Sequence, residues 1–184
     1  MELIKDIKQS KILRNMFIAL VGTILLAISS KIKIPFYPVP MTMQTLVILF
    51  LGITLGWKMG IATVALYLFE GIIGLPVFSG SPEKGVGIIY FTGPTMGYLI
   101  GFLFTVYFAG SIKFSKNLFI KFLQLTFSVS FIYIFGILWL GTLVGWEKPL
   151  FQLGVEPFLL AELFKVLIIL VSLPKIRGLK KYLQ

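Results

Sequence analysis

The sequence has no cysteine, no histidine and only seven acidic side chains among 184 residues. Without cysteine there are no disulfides and no thiolate nucleophiles. Without histidine there is no imidazole base, and the two absences together remove the usual zinc ligands. Charge is scarce too: 13% of residues are charged and 58% hydrophobic, with a mean hydropathy of +0.98. Soluble domains carry about a quarter charged residues, so this chain cannot cover a water-facing globule and needs lipid around most of its surface. No polar block interrupts the apolar segments, which predicts a single membrane domain over residues 1–184. An enzyme built on such a chain is confined to carboxylates, lysines and hydroxyls.

Base, by contrast, is abundant: 17 Lys and Arg give a net charge of +10. Nucleic acid is one partner for such a chain. Here, however, the bases fall in short runs between apolar segments, which suits anionic lipid headgroups and sets membrane topology. No nucleic-acid partner is expected. No GxxxxGK[ST] phosphate loop is present, so energy for active transport has to come from a partner or an ion gradient. No cofactor or metal is expected.

A bilayer core of about 30 Å takes roughly 20 apolar residues as a helix. Six segments fit, at about 13–30, 42–55, 59–73, 94–110, 118–145 and 157–173, giving an all-α membrane bundle. Lys31, Lys33 and the prolines at 35, 38 and 40 close the first, because proline resists helix. The second is short, so it is expected to start from a loop that dips into the membrane. Gly56–Trp57–Lys58 parts the second from the third, and Gly74–Leu75–Pro76 stops the third. Glycines 80, 85, 87 and 93 then mark a long loop, of the kind that is usually functional or disordered. Pro94 opens the fourth helix and Pro174 ends the sixth, while Trp139 and Trp146 suit an interfacial belt.

The odd and even connections differ in charge. Lys5, Lys8, Lys11, Arg14, Lys58, Lys113, Lys116, Lys121, Lys175, Arg177, Lys180 and Lys181 fall on one side, and Lys31, Lys33, Lys84 and Lys148 on the other. The positive-inside rule therefore puts both termini in the cytoplasm of a multi-pass cell-membrane protein. A signal peptide around 16–28 is the rival reading of the first segment. Five further apolar segments would still hold the product in the membrane.

Glu162 and Lys165 stand out, one turn apart within the sixth apolar segment. Each costs roughly 2.5–3.5 kcal/mol to insert near the midplane, and intramembrane charges usually line a substrate or ion path. The plain alternatives are a pair that only neutralises itself, or a helix that begins later and leaves both at the outer interface. Facing a cavity, the pair offers an acceptor beside a cationic donor, which suits a ligand with N–H donors and a carbonyl or carboxylate. Loops 31–41 and 77–93 lie on the same side as the start of the sixth helix. Their aromatics Phe36, Tyr37, Phe78, Tyr90 and Phe91, with Tyr98, are candidate walls of an apolar pocket, though each also fits an interfacial anchor. Thr42 and Gln44 open the second helix and either bond into that pocket or cap the helix. Glu70 either joins the site or snorkels outward. Ala19, Thr23 and Ala27, at spacing four, let another helix approach closely, inside this bundle or on a partner.

Four of these segments carry a family likeness. Pro38–Val–Pro–Met–Thr–Met–Gln–Thr45, Gly74–Leu–Pro–Val–Phe78, Gly93–Pro–Thr–Met–Gly–Tyr–Leu–Ile–Gly–Phe102 and the Glu162-x-x-Lys165 pair resemble the BioY family, in order and over nearly the whole chain. That resemblance implies a six-helix S component of an energy-coupling-factor transporter, which captures biotin near the outer face and delivers it inward. It implies partners as well: a transmembrane T component and two cytoplasmic ATPases, or self-association where a member works alone. It assigns Glu162 and Lys165 to the ligand site and the Ala19–Thr23–Ala27 stripe to the T component. The glutamate departs from the aspartate more usual there and reaches one methylene further. The competing functions are a carrier for another small vitamin, a membrane enzyme using Glu70 and Glu162, and a purely structural subunit.

Overall fold

The computed structural model describes the chain from Glu2 to Leu183 apart from Lys84, and its side chains from Lys11 to Lys180. Of the bases used to assign topology, Lys5, Lys8, Lys84 and Lys181 lie outside that description. The helices are α1 (Glu2–Lys31), α2 (Gln44–Ile72), α3 (Met96–Ser111), α4 (Leu118–Val144), α5 (Leu150–Gly154) and α6 (Leu159–Leu183). By length and composition four helical stretches are able to cross a membrane: Lys11–Lys31, Gln44–Ile72, Leu118–Val144 and Leu150–Lys180. Met96–Ser111 is a shorter apolar helix. Aliphatic side chains on the outer faces stand far out, with Val171 80% exposed, the reverse of a water-soluble packing.

The unbroken run of α2 hides a reversal. Gly56 has φ 73° and ψ 171°, a conformation open to glycine and strained for other residues. A straight helix would separate residues 44 and 67 by about 35 Å. Instead the Gln44 amide donates to the Tyr67 hydroxyl at 2.8 Å. A Cβ on Gly60 would likewise stand 3.6 Å from the Cα of Gly52. The expected segments 42–55 and 59–73 are thus the two arms of a hairpin, and Gly56–Trp57–Lys58 is its turn.

Three expectations about boundaries need correction. Residues 33–34 and 41–42 pair as a small antiparallel ladder, β1 (Lys33–Ile34) with β2 (Met41–Thr42), so Thr42 belongs to the loop and α2 starts at Gln44. The connection after α4 contains α5 and a 3₁₀ turn at Glu156–Phe158, and α6 follows. Pro174 does not end α6, which runs on to Leu183. Leu173 and Ile176 are both buried, so packing on either side of the proline outweighs its one missing hydrogen bond. The long glycine-rich loop is also less irregular than expected, since Gly87–Thr92 forms a 3₁₀ helix.

Small residues set the close crossings. Gly97 and Gly101, one turn apart on α3, face the α4 backbone: a Cβ on Gly101 would stand 2.5 Å from the Ile132 Cα. Stacked rings fill the space beside them, Phe104 on Phe135 at 4.4 Å and Phe108 on Phe131 at 4.4 Å. On α1, Thr23 is buried and donates to the Glu70 carboxylate at 2.9 Å. Ala19 is buried, and Ala27 packs half-buried against the core. The stripe therefore packs against this chain's own core at these positions, since spacing marks a close approach but not the neighbour that makes it. Glu70 is accounted for at the same α1–α2 contact.

Candidate ligand-binding site

Glu162 and Lys165 project from the first two turns of α6 into the bundle, with side chains only 9% and 5% exposed. A charge at that depth needs partners. The Lys165 ammonium donates to Glu162 Oε1 at 2.7 Å and to the Thr42 carbonyl at 2.7 Å. The Thr45 hydroxyl donates to the same Glu162 oxygen at 2.9 Å. Two donors thus pin Oε1, while Oε2 is buried with no partner. The pair ties α6 to β2 and α2 and leaves one carboxylate oxygen open to a donor from elsewhere.

Glu162 also lines a cavity of about 50 Å³ at the end of the bundle where β2, α2, the 77–93 loop, α3, α4 and α6 meet. A few waters would fill it. Pockets that hold drug-sized ligands measure about 300–1,000 Å³, so a vitamin-sized molecule enters only if the walls part. Of the expected residues, Thr42, Gln44, Phe78, Tyr90, Tyr98 and Glu162 all line the cavity. Lys165 stands behind Glu162 and acts on the cavity through it. Phe36 is outside the lining and sits edge-on to the lining Phe158 at 6.1 Å. Tyr37 is 90% exposed and points away, and Phe91 buttresses Phe78 from behind at 5.4 Å.

The aromatic wall is held in register by hydrogen bonds. Phe78 stacks on Tyr90 at 4.7 Å and meets Tyr67 edge-on at 5.3 Å. The Tyr67 hydroxyl, which accepts from Gln44, donates to the Val77 carbonyl at 3.0 Å. The Tyr98 hydroxyl donates to the Gly154 carbonyl at 3.0 Å and so anchors α5 against α3. Trp139 is half-buried and donates to the Gly93 carbonyl at 2.9 Å, whereas Trp146 is 59% exposed.

Sequence reasoning missed Thr45, Ser79, Tyr133 and Phe158, all of which line the cavity. Ser79 carries a second buried oxygen without a partner. A signal existed for Tyr133, a phenol in the middle of an apolar span, and for Thr45, next to Gln44 at a helix start. None existed for Phe158, one of 18 phenylalanines.

Chemically, the site combines an ammonium-backed carboxylate with one free oxygen, a lone serine hydroxyl and aromatic walls. It can accept N–H donors and enclose an apolar body. Among the described residues no cluster of acids suited to a metal ion occurs.

The BioY family model matches residues 4–182 of the chain. A Pyrococcus horikoshii protein named "Probable biotin transporter BioY" is 31% identical over 154 residues, covering 84% of this chain and 90% of its own length. The Thermotoga maritima protein named "Biotin transporter BioY" is 32% identical over 157 residues, covering 85% and 91%. Among solved structures, the S-component for biotin from an ECF-type ABC transporter superposes with a TM-score of 0.74 at 29% identity, covering 94% of this chain and 93% of that one.

Proposed function

We infer the function from one premise: the chain belongs to the BioY family. It is a membrane transport component rather than an enzyme, and its substrate is biotin. One observation carries the site assignment: Lys165 bonds Glu162 Oε1, and Glu162 lines an aromatic-walled cavity with its Oε2 buried and unpartnered. Biotin's ureido ring supplies N–H donors for that oxygen, and its bicycle supplies the apolar body the aromatics enclose. Six segments cross the membrane, the two arms of α2 counting separately, and both termini are cytoplasmic. Biotin is captured at the outer end and released inward. A transmembrane T component and two ATPases supply the energy, or copies of the chain assemble where it works alone.

Titration of detergent-purified protein with biotin, desthiobiotin, thiamine and riboflavin tests this reading. Saturable binding of biotin, weaker binding of desthiobiotin and none of the other two is expected. Equal response to thiamine or riboflavin, or none to biotin, would remove the assignment. The role of Thr45 is testable in the same assay. Losing one charge-assisted bond to Glu162 costs about 1.5 kcal/mol, so Thr45→Val should raise the biotin Kd about tenfold. Thr45→Ser keeps the hydroxyl and should stay near the parent value.

A further inference from the structure

Residues 77–81 run along the cavity without helix or strand, and side chains of residues 30–33 donate to four of their carbonyls, beside the Tyr67 bond to Val77 and the Ser81 bonds to Phe78. The Ser30 hydroxyl donates to the Val77 carbonyl at 2.8 Å. The Lys31 ammonium donates to the carbonyls of Phe78 and Ser81, both at 2.8 Å. Lys33 donates to the Ser79 carbonyl at 2.6 Å. The segment's inward side chains, Phe78 and Ser79, line the cavity, so these donors grip its backbone while the ligand side is left free.

We propose that Lys31 and Lys33 form a latch holding residues 77–81 as a strap over the cavity, which makes both lysines positioning residues for ligand retention. The cavity has room for only a few waters, so something must move to admit a vitamin, and the strap is a stretch of wall that is neither helix nor strand. Its bonds to the two lysines lie at exposed side chains, where water competes for each carbonyl. Phe78, only 1% exposed and packed on Tyr90, supplies the opposing restraint that closes it again. The latch also connects to the ionic pair. Lys33 belongs to β1, β1 pairs with β2, and the Thr42 carbonyl of β2 accepts from Lys165. A ligand that draws on the Glu162–Lys165 pair therefore pulls on the hairpin that carries one arm of the latch.

The proposal rests on the biotin reading for retention, but strap opening is measurable without any ligand. The chain has no cysteine, so Ser79→Cys places a single thiol, buried while the strap is closed. In detergent, a hydrophilic maleimide should label Ser79→Cys slowly. Adding Lys31→Met and Lys33→Met should raise the rate about tenfold, the effect of losing charge-assisted bonds. Lys31→Arg with Lys33→Arg should keep it slow. With the serine restored, the two methionine substitutions should speed biotin release by a similar factor. Labelling within twofold of the single-cysteine parent would overturn the latch, and faster labelling with unchanged release would overturn its role in retention. A parent that binds no biotin refutes the functional reading, while the labelling rates still judge the strap. If the doubly substituted protein does not fold, Lys33→Met alone, which frees the Ser79 carbonyl, is measured in the same way.

Discussion

Lys165→Met is expected to weaken biotin binding at least 100-fold, because it removes the charge that organises the site. The ammonium is 5% exposed at its side chain and bonds both Glu162 and the Thr42 carbonyl. Without it Glu162 is a buried, uncompensated carboxylate, a change that typically costs 3–5 kcal/mol. Part of that loss is stability, so the single variant should melt earlier as well as bind worse. A double variant separates the two effects. Glu162→Gln with Lys165→Met removes the orphaned charge, and replacing both members of a buried pair is often neutral for stability. The double variant should regain most of the melting temperature but none of the binding. If it bound biotin as the parent does, the pair would be a structural staple and the ligand would sit elsewhere.

The second large effect falls on the fold. Gly101→Val should sharply lower the temperature of unfolding and the yield of monodisperse protein, because the new side chain meets backbone rather than a movable side chain. An added Cβ would stand 2.5 Å from the Ile132 Cα and 2.9 Å from the Phe131 carbonyl. Overpacking costs typically 1–3 kcal/mol, occasionally more, and contact with backbone belongs at the upper end. Gly178 is the control, a glycine inside α6 with no atom within 4 Å of its missing Cβ. Gly178→Ala should therefore be neutral or stabilise by up to about 1 kcal/mol through helix propensity. Fluorescence-monitored thermal unfolding of the two variants decides the matter. Gly101→Val melting with the parent would mean that α3 and α4 do not cross closely there.

Much of the site is legible in the amino-acid sequence. Glu162 and Lys165 are conspicuous because charge inside an apolar span is costly and needs a reason. Phe78, Tyr90, Tyr98, Thr42 and Gln44 can be grouped because the alternation of apolar segments assigns the two unusual loops and the start of the last helix to one end of the bundle. Individual assignments fail where only a neighbour can decide them. Phe36 and Phe78 look alike as sequence, yet one stands 40% exposed beside the site and the other fills the wall at 1%. The Ala19–Thr23–Ala27 stripe is another such case, since its spacing does not say that Thr23 bonds Glu70 of α2.

The sequence by itself determined a membrane protein made of helices, because composition and the length of apolar runs fix what the bilayer will accept. It also determined that Glu162 and Lys165 fall one turn apart in the last apolar segment, because position along the chain is fixed before any packing. The tertiary structure alone decided that Thr45 and Thr42 share that pair, that Glu162 keeps one oxygen free, and that Lys31 and Lys33 grip residues 77–81. These contacts join residues between 46 and 123 positions apart. Hydropathy and periodicity report only a residue's own segment, and such pairings exist only once the helices have packed.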